Sequence, residues 1–583
     1  MPCRPPCGPI PPARLVTTLV WPPALVAFLS LVIGRVGFNP TDEGMVLAYA
    51  ARMLQGQVPH RDFITPRPVG ASVLHLIEFV LPGPMLMKSH VIALGEMTAI
   101  AILFGVVVFR ATPVRWSALQ TALVLAALVI DLHTFPLMAW SPVDGVLLTL
   151  VGVVLIRPVS GDPPGRLRRW SGLFIAGAAV TTKQSFILVP VLAAVLASWP
   201  APQRGGTAFL RRLLMNGAIS AAPGALYAGV LSALGAGPAM VTQLLSQRDV
   251  DLFAVFKPLR ADALLLVIGA AASVGLALPL LRQHRPDWVR GVRTGTAVAM
   301  LLLTVLILAL GRLALAGAWG GELVQLLLAY IAISWVASGR LDVDAAIVAA
   351  LAWMVTLSLG YQNPDLCAGG VALVLFWRGA TLLGPVPAHV GRTRGPAWSV
   401  AAAAIITLSL GSSIAARTTD VYREAPAAEL TASVSAAIPA FSGISLDPTT
   451  QRYLVDVTRC IRQHPSRSVA VLPDNQALYP ALGIHNPLPI DWMIPPDYQG
   501  SEQRIVDAAG SLGARGHYLV LFETFDAVQL SSIGLSGYER HAALAAAHPD
   551  APLPYAPGVL QQVRDRLHGD AFGCGAFIGV YAP

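Results

Sequence analysis

Apolar runs of roughly 15–22 residues recur along most of this chain, which is the length scale of helices that cross a membrane. Short gaps rich in arginine separate these runs. Only 12% of the 583 residues are charged, whereas a soluble domain usually carries about 25%. The sequence therefore predicts a polytopic α-helical membrane protein.

The arginine-rich gaps between the apolar runs predict the orientation of these helices in the membrane. Basic residues concentrate in the cytoplasmic gaps of membrane proteins, and a cytoplasmic tail at 1–14 places nearly every basic cluster on that side. The run 171–200 must then form two helices, because one helix would invert all later gaps. About thirteen crossings result within 15–415, at 15–34, 88–109, 117–132, 143–156, 171–182, 186–200, 213–235, 262–281, 295–316, 321–337, 344–359, 366–379 and 398–415.

The composition changes after residue 415. Short apolar runs typical of buried strands alternate there with segments of helical spacing: 468–472, 517–522 and 576–581 for the strands, and 450–464, 501–512 and 558–567 for the helices. This alternation predicts a small α/β domain at 416–583, which the helix count places outside the cytoplasm. A disulfide between Cys460 and Cys574 is possible in that compartment, and the sequence leaves it open.

The first extracytoplasmic loop, 35–87, carries the densest group of ionisable residues. Asp42 and Glu43 open it, and His60, Arg61 and Asp62 follow a short helical run. An acid at this position is either a solvated N-cap at a helix start or a general base within reach of a substrate hydroxyl. The second acid then orients the first or holds a divalent cation.

This loop resembles that of the GT-C membrane glycosyltransferases, closest to the bacterial branch of protein mannosyltransferases and the aminoarabinose lipid-A transferase. The matching residues are Asp42-Glu43, Tyr49, Arg52-Met-Leu-Gln-Gly56, Pro59-His60-Arg61-Asp62-Phe63 and Pro66-Arg67-Pro68. The family usually has Tyr where this chain has His60. The resemblance implies a GT-C fold, a polyprenyl-phosphate sugar donor, Asp42 as the catalytic acid position and Glu43 as its neighbour.

Two later segments resemble the same family. Thr181-Thr-Lys183-Gln184 matches the end of a middle helix, and Ser358-Leu-Gly-Tyr361-Gln-Asn363-Pro364 matches a late loop on the same side. Lys183 either faces a cavity, where its ammonium suits a leaving phosphate, or snorkels to the interface.

The remaining residues of the predicted site lie in the first loop and in the late loop. Arg61 and Arg67, with Lys183 and Gln184, are predicted to bind the donor phosphate, because guanidinium groups pair with phosphate; Arg61 and Asp62 alternatively pair with each other. The substrate cavity is predicted from residues of both loops: Tyr49, Arg52, His60, Asp62, Tyr361 and Asn363.

Several other polar residues leave alternatives open. Asp131 and Asp144 lie near outer helix ends and either line the substrate cavity or, as we favour, are solvated helix ends, while Glu78 and Glu96 lie in or beside apolar runs. A lone histidine such as His60 is more often a hydrogen-bonded loop residue than a metal ligand. In the C-terminal region, Asp474 and the pair Asp491-Trp492 either contact sugar or form ordinary loop ends.

These observations predict an inverting glycosyltransferase of the bacterial inner membrane, with its site and C-terminal domain on the extracytoplasmic side. Its partners would be a polyprenyl-phosphate sugar, a glycan, lipid or protein acceptor and membrane lipid, without nucleic acid. No cofactor is required, although a divalent metal is possible, and no nucleotide-binding motif is present. The alternatives are a transporter or flippase of lipid-linked sugars and a non-catalytic envelope assembly protein.

Overall fold

The computed structural model describes residues 12–134, 137–158, 164–199, 206–245, 294–306, 319–357, 365–383, 396–419, 421–554 and 558–583, with single residues at 269, 273 and 277. Helices dominate them. Helices α1 to α11 are Pro12–Val32, Met45–Leu54, Gly70–Leu74, Ile77–Val80, Met85–Phe109, Ala118–Thr134, Ser141–Ile156, Arg166–Ala178, Val189–Ser198, Gly206–Ala233 and Gly237–Leu245. Further helices cover Thr294–Leu306, Trp319–Ser338, Val343–Thr356, Ala368–Leu383 and Pro396–Thr419.

The helices coincide with the apolar runs of the sequence to within a few residues, where the run is described. The run 171–200 is broken as expected: α8 ends at Ala178, two 3₁₀ turns follow at Ala179–Thr181 and Gln184–Phe186, and α9 begins at Val189. Lys183 lies between the two turns in an extended conformation. Most of the run 262–281 lies outside the described residues.

Within the described part of the chain, two helices are long and apolar enough for a membrane crossing, Met85–Phe109 and Thr207–Ala233. The other apolar helices span 10–17 residues, which is short for a single crossing. The predicted number of crossings therefore stays a prediction.

Helix α5 occupies the centre of the helical part. It packs against α1, α6, α7 and Ala368–Leu383, while α8 and α9 pack against α10. Asp131 and Asp144 are buried at the helix contacts, with 1% and 0% of their surface exposed. The prediction that they are solvated helix ends is wrong, because neighbouring elements cover them; the amide of Gly369, for example, donates to Asp131 Oδ1 at 2.7 Å.

Two aspartates at the start of Val343–Thr356 organise an ion network. Asp342 caps this helix through the amide of Ala345 and pairs with Arg378 at 2.7 Å. The buried Asp344 pairs with Arg110 at 2.8 Å, with Arg378 at 3.3 Å, and with Arg157. Asp344 thereby links its own helix to the C-terminal ends of α5 and α7 and to the helix Ala368–Leu383.

We expect Asp344→Asn to lower the free energy of unfolding by about 1–3 kcal/mol, because the partly buried Arg157 and Arg378 lose their shared counter-charge. Denaturant unfolding of the purified protein measures this change. Asp507→Asn, which alters an exposed acid on a helix surface, is the matched control. Equal stability of the two variants would show that solvent replaces the Asp344 charge without cost.

The C-terminal region contains a four-stranded sheet of order β1-β2-β4-β3. Its strands are Ser468–Leu472, Tyr518–Glu523, Asp570–Cys574 and Phe577–Ala582 for β1 to β4, with β1 and β2 parallel and the β3–β4 hairpin antiparallel. The flanking helices are Pro448–Gln463, Leu478–Leu482, Pro495–Tyr498, Glu502–Arg515, Leu530–Ala547 and Gly558–Asp565. Strands β1, β2 and β4 match the predicted ones, whereas β3 and the helix Leu530–Ala547 were not predicted. Cys460 and Cys574 form a disulfide.

The loop 35–69 is packed between the helices and the sheet. Phe38 meets Phe441 edge-on, with ring centroids 4.7 Å apart. The amide of Ile64 donates to the carbonyl of Pro489 at 2.6 Å, and the amide of Asn475 donates to the carbonyl of Pro40 at 2.8 Å. One hydrophobic core therefore runs from the helices through this loop into the C-terminal region.

Candidate functional site

The segment Asn39–Gly44 forms a turn that its own side chains hold. Asn39 Oδ1 accepts hydrogen bonds from the amides of Thr41 and Asp42, at 2.8 and 3.1 Å, which is the local bonding that makes asparagine common in turns. Gly44 has φ +96° and lies so close to Ala477 that a Cβ would overlap it, a conformation that favours glycine. The turn fixes the backbone of Asp42 against the C-terminal region.

Asp42 is buried and held by the segment that follows Pro396–Thr419. Its Oδ2 accepts a hydrogen bond from the hydroxyl of Tyr422 at 2.6 Å and pairs with the guanidinium of Arg423 at 2.9 Å. Arg423 also donates to Thr41 Oγ1. The partners of the predicted base therefore lie about 380 residues further along the chain.

Glu43 points toward helix α5 instead of toward the partners of Asp42. Its Oε1 lies 2.7 Å from His90 Nε2, and its Oε2 accepts from the amide of Asn39 at 3.2 Å. His90 Nδ1 donates to the carbonyl of Gly34 at 2.7 Å. Because Nδ1 uses its proton in this hydrogen bond, a hydrogen bond between Nε2 and Glu43 requires a second proton, on either the imidazole or the carboxyl group. Glu43 and His90 also line a cavity of about 40 Å³, enough for a water molecule.

Arg67 lies between two tryptophan rings. Its guanidinium carbon is 5.7 Å from the ring centroid of Trp140 and 5.5 Å from that of Trp492, distances at which a cation is attracted to the ring face. Its Nη2 lies 3.5 Å from Asp497 Oδ1. Arg67 thus joins the first loop, the start of α7 and the C-terminal region.

Lys183 and Gln184 approach the same place from the break between α8 and α9. Gln184 donates to the carbonyl of Pro66, next to Arg67. The charge of Lys183 acts on Asp497, and so do the charges of Arg67 and Asp42. Burial raises the pKa of Asp497, and the two cations offset part of that rise. We call Asp42, Arg67, Lys183, Asp497 and Trp492 the central cluster.

Asp474 borders the central cluster. The indole nitrogen of Trp492 donates to its Oδ1 at 2.8 Å. Burial, together with the nearby Asp42 carboxylate, raises the pKa of Asp474 to about 8. The carboxyl group of Asp474 is therefore protonated over much of the neutral range.

The other predicted cavity residues take structural positions. Arg52 forms a buried two-pronged pair with Asp491, at 2.6 and 2.7 Å. Tyr49 packs on Phe63 with ring centroids 5.3 Å apart. It still lies close enough to Arg67 and Asp497 for their charges to act on its hydroxyl.

The described contacts of His60, Arg61 and Asp62 are with residues outside the central cluster. His60 is fully buried and bonds to Gln243 at 3.0 Å and to Tyr227 at 2.9 Å, as a hydrogen-bonded loop residue does. Arg61 pairs with Asp62 at 2.8 Å, and both side chains are substantially exposed. Tyr361 and Asn363 lie outside the described residues.

Sequence reasoning missed the partners of the site. Tyr422, Arg423 and Asp497 lie in unremarkable polar stretches, and no local spacing links them to the first loop. Asp474 and Trp492 carried a weak signal as an acid and an aromatic residue at loop ends.

Glu424, next to Arg423, makes stability depend on pH. Burial, together with the neighbouring Asp447, raises the pKa of Glu424 from 4.5 to about 9, so the folded protein holds a proton that the unfolded chain releases above pH 4.5. Stability from this group is full below pH 4.5 and is lost as pH rises toward 9, by at most about 1.4 kcal/mol per unit. We expect Glu424→Gln to flatten the decline of unfolding free energy between pH 5 and 9. A slope equal to that of wild type would assign the decline to other groups.

Comparisons with protein-family models, with curated proteins and with solved structures found no match to this chain.

Proposed function

We propose that this protein is an integral membrane glycosyltransferase of the GT-C type. It transfers a monosaccharide from a polyprenyl-phosphate carrier to a hydroxyl of a cell-envelope glycan, lipid or protein, on the extracytoplasmic side of a bacterial membrane. One observation carries the proposal: Asp42 and Arg67 of the first loop and Lys183 of the break between α8 and α9 lie close enough to Asp497 for their charges to act on it, and Arg67 Nη2 approaches Asp497 Oδ1 to 3.5 Å. An acid beside an arginine and a lysine suits a reaction that removes a proton and releases a phosphate. Burial lowers the pKa of the Lys183 ammonium well below its usual range, and the charge of an incoming phosphate would raise it again.

In this proposal Asp42 deprotonates the acceptor hydroxyl. Among the described residues, Tyr422 and Arg423 contact Asp42 through Oδ2, so we assign Oδ1 to the acceptor. The acceptor oxygen attacks C1 of the sugar as the bond from C1 to the phosphate oxygen breaks. The proton goes to Asp42, the electron pair leaves with the polyprenyl phosphate, and the configuration at C1 inverts. Arg423 pairs with Asp42 and would orient its carboxylate before the attack.

Arg67 and Lys183 would bind the phosphate of the donor. Asp497 supplies their negative counter-charge in this structure, and a phosphodiester would compete for the same cations. Because burial raises the pKa of Asp497, this carboxyl group can take up a proton when the phosphate arrives. Arginine offers the phosphate a planar fork and lysine a point charge.

The central cluster is closed, since Asp42, Lys183 and Asp497 are all buried. Substrate entry therefore requires a covering element to move. The segment 421–424 is the element we assign, because it supplies both contacts to Asp42 Oδ2 and the Arg423 side chain is 32% exposed.

The proposal is tested with the full-length protein in liposomes that contain radiolabelled polyprenyl-phosphate hexoses and pentoses. Transfer of label to an added cell-envelope acceptor fraction supports a glycosyltransferase. Movement of the intact labelled lipid across the bilayer, without transfer, would instead support a flippase. Neither transfer nor movement across the donor panel would leave an assembly role and overturn the proposal.

A further inference from the structure

Four ionisable side chains meet between helices α5 and α7. None of them has a role in the proposed transfer reaction. His75 directly follows α3, Glu78 lies in α4, Glu96 lies in α5, and Asp144 lies in the first turn of α7. His75, Glu78 and Asp144 are each at most 1% exposed, and the Glu96 side chain is 15% exposed. We call these four residues the His75 cluster.

The hydrogen bond of His75 Nδ1 determines whether Nε2 can act as a metal ligand. His75 Nδ1 lies 2.6 Å from Glu78 Oε1. A carboxylate at this distance fixes Nδ1 as the donor, which leaves Nε2 with a lone pair in the neutral ring. Nε2 lies 3.5 Å from Asp144 Oδ1 and 3.9 Å from Glu96 Oε1. Both distances exceed a hydrogen bond, while the three ligand atoms lie within 4.8 Å of one another.

The inner atoms of the His75 cluster have no hydrogen-bond partner among the described residues. They are His75 Nε2, Glu78 Oε2, Glu96 Oε2 and both carboxylate oxygens of Asp144. Lys88, the nearest lysine in sequence, donates its ammonium to the carbonyls of Glu78 and Leu81. Buried carboxylates without partners are costly unless protons or a cation neutralise them.

We propose that the His75 cluster binds a divalent transition-metal ion of the Zn²⁺ class. His75 Nε2, Glu96 and Asp144 would be the ligands, and Glu78 would orient His75. Imidazole combined with carboxylates suits such ions, and a carboxylate on the far nitrogen is the usual support of a metal-binding histidine. Bonds of about 2.0–2.2 Å place tetrahedral ligands roughly 3.3–3.6 Å apart, so small side-chain shifts bring the observed separations into range. A water molecule would complete the coordination.

This site would stabilise the helices that position the central cluster. It would tie α3 and α4 to α5 and α7, and Trp140, the residue before α7, packs against Arg67. The metal would hold these elements together and take no part in the transfer chemistry. The inference does not depend on the proposed function.

The test is metal binding by the purified full-length protein. After treatment with a chelator, the protein is titrated with Zn²⁺ and its metal content is measured by mass spectrometry. We expect about one ion per chain and a higher Tm when the ion is bound. Co²⁺ in the same site should give the visible absorption of a low-coordinate ion with nitrogen and oxygen ligands.

Variants make the assignment specific. His75→Ala and Asp144→Asn should abolish binding at micromolar metal, and Glu78→Gln should weaken it 10–100-fold with unchanged stoichiometry. His485→Ala, which alters a partly exposed histidine bonded to Gln55, should bind like wild type. Glu96→Gln, the mildest change, keeps the test open if His75→Ala fails to fold. The proposal fails if wild type binds no ion, or if Glu96→Gln and Asp144→Asn bind as tightly as wild type, because protons then neutralise the carboxylates.

Discussion

Asp42→Asn should lower the rate of sugar transfer by about 10²–10⁴-fold, because an amide cannot take up the acceptor proton. Folding should survive, since asparagine can still accept the hydrogen bond from Tyr422 and Arg423 is partly solvated. Initial rates with the labelled donor that wild type accepts, compared at equal protein and equal Tm, measure the effect.

Asp62→Asn is the matched control for Asp42→Asn. It makes the same chemical change in the same loop, at a partly exposed aspartate that pairs with Arg61. We expect this variant to keep the wild-type rate within about threefold. Turnover of Asp42→Asn at the level of this control would remove Asp42 as the base.

Arg52→Ala should destabilise the folded protein by about 3–5 kcal/mol, because it leaves Asp491 buried without its counter-charge. The pair is almost completely enclosed, with 7% and 1% of the two side chains exposed. Denaturant unfolding of the detergent-solubilised protein measures the loss. Arg61→Ala, which breaks an exposed pair in the same loop, should cost only about 0–1 kcal/mol.

A double replacement tests the cause of this loss. Arg52→Met combined with Asp491→Leu removes both charges and should recover part of the stability lost in Arg52→Ala. If Arg52→Ala itself stays within 1 kcal/mol of wild type, water reaches Asp491 and the pair contributes little.

The elements of this fold could be predicted where the signal is local. Hydropathy located the helices, and the proline-free apolar runs located β1, β2 and β4. Arg52 and Asp491 lie 439 residues apart, so no window of sequence reveals that they pair. Tyr422 lies 380 residues from Asp42, so this contact could not be predicted from a window of sequence either.

The candidate site was predicted in part. The identity of its ionisable residues could be predicted, because acids and cations stand out among apolar runs, and Asp42, Arg67 and Lys183 do meet near Asp497. The direction of each side chain could not be predicted. Glu43, adjacent to Asp42 in sequence, bonds to His90 instead, and the expectation of solvent at Asp144 failed because packing between helices decides burial.

The packing of the first loop against the C-terminal region has a consequence for biosynthesis. The first loop is translated early. Arg52 and Arg67 in this loop can pair with Asp491 and Asp497 only after more than four hundred further residues have been translated. Until then the nascent loop carries unneutralised guanidinium groups and an uncovered apolar surface. A stop codon placed after residue 415 should therefore yield a product that proteases degrade, even though every predicted membrane segment would be present.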